Sequence, residues 1–335
     1  MPRRLVAALA ILILAPAAAV GQGTTWELRP LGSLSGLVDQ HVDARFRMVT
    51  AETAVGPVGL RFGQDGTLRR VKAPGRPVVP ADLLPQSRCA AGVADIRLAC
   101  LTGPTRRYDH GVLGDAVEAE AVSVRRADSG WSRFRPGGEA VFEDLTPRLA
   151  DLDGDGRDEV IVVKAAAGQG ASLAVLGLEG KRLRRLAESE PIGRSYRWLN
   201  PVGAGDFDGD GSVEVAVVRT PHIGGVLMIY RRDGPRLVLD GRLPGFSNHR
   251  MGSTVLGMAA IADFDGDGHV DILLPRQDRA RLAAVSFAGG TFREIAAFDL
   301  DAPVETSMVL VDIEGDDRPD VVFGLADGRL MALMR

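Results

Sequence analysis

Nine residues, Asp151-Leu-Asp153-Gly-Asp155-Gly156-Arg-Asp158-Glu159, constrain this chain most, because their arrangement returns three more times further along. Carboxylates at positions 1, 3 and 5 of the window can converge on one cation while Gly at position 6 takes the backbone through a positive-φ turn, and a carboxylate at position 9 would close the cage. The later copies are Asp206, Asp208, Asp210, Gly211 and Glu214, then Asp263, Asp265, Asp267, Gly268 and Asp271. The last is Asp312, Glu314, Asp316 and Asp320, with Asp317 in place of the turn glycine. Asp and Gly favour turns without any metal, but the same carboxylate register in four loops points to a cation. An all-oxygen donor set on a flexible loop suits calcium, whereas zinc would want Cys or His. Three to four calcium ions are expected, with the fourth loop the weakest.

Short apolar runs flank each loop: Val160-Ile-Val-Val163, Val215-Ala-Val-Val218, Ile272-Leu-Leu274 and Val321-Val-Phe323 follow the four in turn. A helix–loop–helix calcium site would need helices on both sides and a bidentate Glu at position 12. Strands are the better fit, so each loop is the turn of a β-hairpin. The loops begin at positions 151, 206, 263 and 312, a spacing of roughly 50 residues that suits one four-stranded propeller blade.

These loops and strands resemble the FG-GAP or VCBS repeats of bacterial proteins, and are similar to the calcium-bearing blades of the integrin α-subunit propeller. The resemblance covers residues 145–335, and Phe323-Gly324-Leu-Ala326 is the nearest approach to the FG and GAP cores. It implies a β-propeller with structural calcium. It implies no single activity, since such repeats occur in adhesins, receptors, accessory modules and a few enzymes.

The expected fold is all-β, a single propeller domain over 22–335 with calcium loops in the strand 1–2 turns of its last four blades, within 140–335. Residues 37–136 read as two degenerate blades. The last blade runs out after its third strand, and 24–34 read as the strand that completes it. That gives six blades of about 52 residues each, with seven as the second choice. The 41 Gly and 19 Pro, and the lack of any long amphipathic helical stretch, agree with an all-β chain.

Residues 1–21 read as a signal peptide: Arg3 and Arg4, an apolar run from Leu5 to Leu14, then Ala17-Ala-Ala19. The apolar run is short for a bilayer span, and no later segment is long enough to cross a membrane. A periplasmic or secreted protein is expected. Cys89 and Cys100 then form a disulfide across a hairpin, since oxidised cysteines persist in exported proteins. The formal charge of −4 gives no support to nucleic-acid binding.

In a blade, the strand 1–2 and 3–4 turns share one face and the 2–3 and 4–1 connections share the other. Sorted this way, His269 falls in a calcium loop while His41, His110, His222 and His249 fall on the opposite face. A ligand site built from His110, Arg197, Trp198, His222, Asn248 and His249 is the expectation, because loops at a propeller mouth gather convergent polar groups. Catalysis has little support: Gly32-Ser-Leu-Ser-Gly36 lacks a central Ser, and most clustered carboxylates are committed to cations. The function expected is a monomeric binding or scaffold module for an exported protein, a glycan or a small molecule. A hydrolase or lyase using the His-containing face is the alternative.

Overall fold

The computed structural model describes residues 26–34, 37–43, 48–62, 67–73, 78–316 and 318–335. The signal peptide read in 1–21 and Asp317 lie outside them. The fold is all-β: helix among the described residues is confined to two 3₁₀ turns, Gly111–Leu113 and Ala288–Gly290. No described helix is long and apolar enough to cross a membrane.

In chain order, β1 (Glu27–Ser33) precedes an antiparallel sheet of β2 (Leu37–Asp43), β3 (Met48–Thr53), β4 (Gly56–Phe62) and β5 (Leu68–Lys72). Next come β6 (Ile96–Thr105), β7 (Glu118–Arg126), β8 (Trp131–Phe134) and the two-residue β9 (Val141–Phe142). A bridge between Ala90 and Ala99 adds a short first strand to this unit. The adjoining disulfide joins Cys89 to Cys100, as the hairpin expectation required.

The four acidic windows open four further units. They are β10 (Arg148–Ala150), β11 (Glu159–Ala166), β12 (Gly170–Glu179) and β13 (Arg182–Ser189); then β14 (Leu199–Gly205), β15 (Glu214–Arg219), β16 (Val226–Asp233) and β17 (Arg236–Pro244). After these come β18 (Ala260–Ala262), β19 (Asp271–Pro275), β20 (Arg281–Ser286) and β21 (Arg293–Asp299), and finally β22 (Val309–Val311), β23 (Asp320–Gly324) and β24 (Arg329–Met334). β1 pairs antiparallel with β24, from Glu27 opposite Met334 to Ser33 opposite Arg329, and so supplies the fourth strand beside β22–β24.

Burial follows strand position. Second strands such as β19 and β23 are buried along their whole length, because both faces pack on neighbouring units and a continuous apolar run is then required. The outer strand β17 alternates instead, with one face to solvent. Cores form between consecutive units: Phe207, Phe246, Leu274 and Phe287 pack together between β14–β17 and β18–β21, and Phe264 joins Phe323 in the next core. Leu34, Val49 and Leu60 meet Val322 and Leu330, so the β22–β24 unit packs on β2–β5. Each such side chain contributes roughly 1.5–3 kcal/mol on burial.

Two links join units that the sequence separates. Glu188 and Ser189 of β13 pair in parallel with Arg236 and Leu237 of β17. Phe142 of β9 pairs with Ala119 of β7 on one side and Lys164 of β11 on the other. These merge twelve strands into one continuous sheet.

Candidate functional site

The acidic loops share one backbone solution. In the first three, the position-1 carboxylate accepts from the N–H groups of the two glycines that follow: Asp151 from Gly154 and Gly156 at 2.8 Å each, Asp206 from Gly209 at 2.8 Å and Gly211 at 3.1 Å, Asp263 from Gly266 at 2.5 Å and Gly268 at 3.0 Å. The position-9 carboxylate accepts from the N–H at position 2, as in Glu159 with Leu152 (2.8 Å), Glu214 with Phe207 (2.9 Å), Asp271 with Phe264 (2.8 Å) and Asp320 with Ile313 (2.9 Å). These bonds explain why Asp and Gly hold their register so strictly.

Three oxygens converge in each of the first three loops, within 4.8 Å of one another: from Asp151, Asp153 and Glu159; from Asp206, Asp208 and Asp210; and from Asp263, Asp265 and Asp271. Asp155 and Asp267 instead turn back to accept from Arg157 and His269 N–H, both at 2.9 Å. Asp312, Glu314, Asp316 and Asp320 form no such group among the described residues. The donors fit a hard cation. Asp271 Oδ1 is buried with no hydrogen bond of good geometry, the Ser286 side chain being near enough to lower its proton affinity slightly. Burial pushes Glu159, Glu214 and Asp271 up to about 7, with neighbouring loop carboxylates adding to the effect.

Antiparallel alternation sends the β6–β7, β15–β16 and β19–β20 connections, and the links between units, to the other end of the sheets. There Trp198 stacks on His222 with ring centroids 6.2 Å apart and an 8° tilt, and meets His249 edge-on at 4.8 Å. His249 Nε2 is 2.9 Å from the Ser253 carbonyl, so that nitrogen carries the proton. Its Nδ1 is therefore a lone pair, which accepts from His222 Nε2–H at 2.8 Å. Both imidazoles are neutral in this arrangement. Burial pushes His222 down to about 4 and His249 to about 3, with nearby Arg279 acting in the same direction.

Asn248 is buried and ties loops together, donating to Asn200 O at 3.3 Å while Asn200 donates to Asn248 O at 3.1 Å. Asn200 also accepts from Arg148 at 3.2 Å, and Arg148 grips both oxygens of Asp144 at 2.7 and 2.6 Å. Arg197 donates to Tyr196 O at 3.0 Å and lowers the proton affinity of His110 behind the larger effect of burial. His110 Nδ1 contacts Glu143 Oε1, and the Trp198 indole donates to Glu143 O at 2.9 Å. The six residues picked from the sequence thus lie on linked loops. His222, His249 and Trp198 touch one another, while Asn248 serves the scaffold and His110 joins a different pair.

That pair is what sequence reasoning missed. Glu143 is buried and Glu118 stands opposite it in the β7–β9 pairing, with burial pushing Glu118 up to about 9 and Glu143 well above the usual carboxylate range. Tyr108 was also overlooked as a structural partner: its hydroxyl accepts from Tyr196 N–H at 2.8 Å. Backbone strain gathers at this end too. Gln86, Tyr196, Thr220 and Arg279 all have positive φ without being glycine, and only Ser129 shares that state elsewhere among the described residues.

The FG-GAP-like repeat family model matches residues 151–217 and 263–323, so those two segments are FG-GAP-like repeats. No curated protein matches the chain. Among solved structures, a rhamnogalacturonan lyase, PL11, of Bacillus licheniformis is similar at 18% identity and a TM-score of 0.39, over 60% of this chain. The matched region spans 42% of the length of that enzyme.

Proposed function

We propose that this FG-GAP repeat chain is an exported six-bladed β-propeller that holds calcium in its acidic loops and binds a protein partner on its other loop face. The six blades are β2–β5, β6–β8 with the Ala90 bridge, β10–β13, β14–β17, β18–β21, and β22–β24 completed by β1. The three convergent carboxylate groups support the calcium, and the Cys89–Cys100 disulfide supports export.

The observation that carries the binding reading is a set of exposed apolar side chains on three neighbouring loops: Tyr196, Ile223 and Met251, at 51%, 59% and 56% exposure. They flank the Trp198, His222 and His249 cluster in sequence, so a buried aromatic base carries an apolar rim. Protein interfaces draw their energy from such anchors, whereas sites for small polar ligands are concave and polar. Glu118 and Glu143 are buried beneath this face, which disfavours a hydrolase or lyase acting there on a glycan.

The test is cross-linking of the full chain, wild type and the Tyr196→Ala/Ile223→Ala/Met251→Ala variant, to the exported proteins of its own cell. One defined adduct lost in a variant of unchanged melting temperature is the expected result. Equal capture by both would overturn the assignment of the face.

A further inference from the structure

We propose that Glu118, Glu143 and His110 form a site for a divalent transition-metal cation, at the end of the sheets opposite the acidic loops. Ala119 of β7 pairs with Phe142 of β9, and in an antiparallel pair the next residues on either side, Glu118 and Glu143, are then directly opposite with side chains on the same face. Like charges so placed repel, and these two are taken out of water as well: Glu118 is 1% exposed and Glu143 0%.

Neither oxygen of Glu118 has a hydrogen-bond partner, and Glu143 Oε2 has none either. Buried carboxylate oxygens are seldom left unpaired, and an ion is one of the few explanations for three together. Of the cationic side chains nearby, Arg148 pairs with Asp144 and Lys164 with Glu188, while Arg197 acts on His110 and bonds the Tyr196 carbonyl. Asp144 is thereby withdrawn as a further ligand.

The third donor selects the metal. His110 meets Glu143 through Nδ1, and one imidazole with two carboxylates suits zinc, manganese or iron(II), while calcium takes oxygen alone. His110 keeps 17% of its side chain in solvent, which leaves a way in for the ion. The Trp198 bond to Glu143 O at 2.9 Å fixes the main chain beneath the site. Preassembled ligand trios among the described residues belong to the acidic loops, so here the Glu118 carboxylate must rotate toward Glu143 as the ion enters.

Co²⁺ titrated into calcium-saturated full-length protein tests this without depending on the calcium reading. A four- or five-coordinate site with nitrogen absorbs strongly in the visible range, whereas six-coordinate oxygen loops are pale. About one strongly absorbing Co²⁺ per chain is expected, with affinity reduced at least roughly 10- to 100-fold in Glu118→Gln. His110→Ala, a change at a partly exposed loop residue, should do the same and decides the matter if Glu118→Gln folds poorly. Only a pale spectrum in the wild type, or a strong band that survives both substitutions, would overturn the site.

Discussion

The indole N–H of Trp26 donates to the carbonyl of Phe264 at 2.7 Å, and their rings lie 5.2 Å apart, although they are 238 positions distant in the chain. Phe264 is the second residue of the third acidic loop, so the segment leading into β1 is fastened to that loop of the neighbouring unit. Trp26→Ala should destabilise by about 2–4 kcal/mol and Trp26→Phe by about 1–2 kcal/mol, the hydrogen bond together with the smaller ring. Urea unfolding checks both, and calcium titration of Trp26→Ala should reveal a weakened third loop.

Calcium stabilisation should grow with pH. Burial holds Glu159, Glu214 and Asp271 near 7 in the folded chain, above their unfolded values. Without metal, the stability these groups contribute is complete below about pH 4 and is lost as pH rises through about 7. The ionised form is the one that binds calcium, so the gap in melting temperature between calcium and chelator should widen across that window. At ten times Kd each occupied loop adds about 1.4 kcal/mol. Identical melts with and without calcium at pH 8 would refute it.

His249 titrates with the opposite consequence. Its proton affinity and that of His222 are lowered in the fold, to about 3 and about 4, so their contribution is present above about pH 6.5 and lost as pH falls through those values. Glu118, raised to about 9, gains stability in the same direction of pH and masks part of the loss. The wild type minus His249→Gln difference isolates the histidine, and its stability gap should shrink steadily between about pH 6.5 and 4.

Thr220 has φ of 48° and is followed by Pro221. A β-branched residue is strained there, and a residue before proline is already restricted. Its N–H donates to Trp198 O at 2.9 Å, which sets the approach of His222 to the indole. Thr220→Asn, which tolerates left-handed backbone, should raise stability by about 0.5–1 kcal/mol in chemical denaturation.

The disulfide closes a loop with its ends 11 positions apart. Cys89→Ser/Cys100→Ser should cost about 3 kcal/mol by the loop-closure argument. Reductant should reproduce most of that loss in the wild type and none in the variant.

The acidic loops were legible because their chemistry is local: Asp151 takes its hydrogen bonds from Gly154 and Gly156 in the same turn, and the spacing is the structure. The shared end for His110, Trp198, His222 and His249 was legible from strand alternation alone. Contacts between them were not, since His222 reaches His249 through a strained turn at Thr220 that no composition announces. The facing of Glu118 and Glu143 was hidden more deeply. It depends on β9, two residues long, pairing with both β7 and β11, too short to leave a period in the sequence. The β13–β17 parallel contact is likewise a product of how units lean together.

The pairing of β1 with β24 has a consequence for how the molecule comes into being. Its two partners are about three hundred positions apart, so in a chain that emerges N-terminus first, from the export channel on the proposed reading, the first must wait unpaired until the second arrives. Contacts of such long range are slow to form and leave unpaired strands open to aggregation and proteolysis. A holdase chaperone that shields the segment around β1 while the remainder emerges should therefore raise the yield of native protein more than one that acts only on the fully emerged chain.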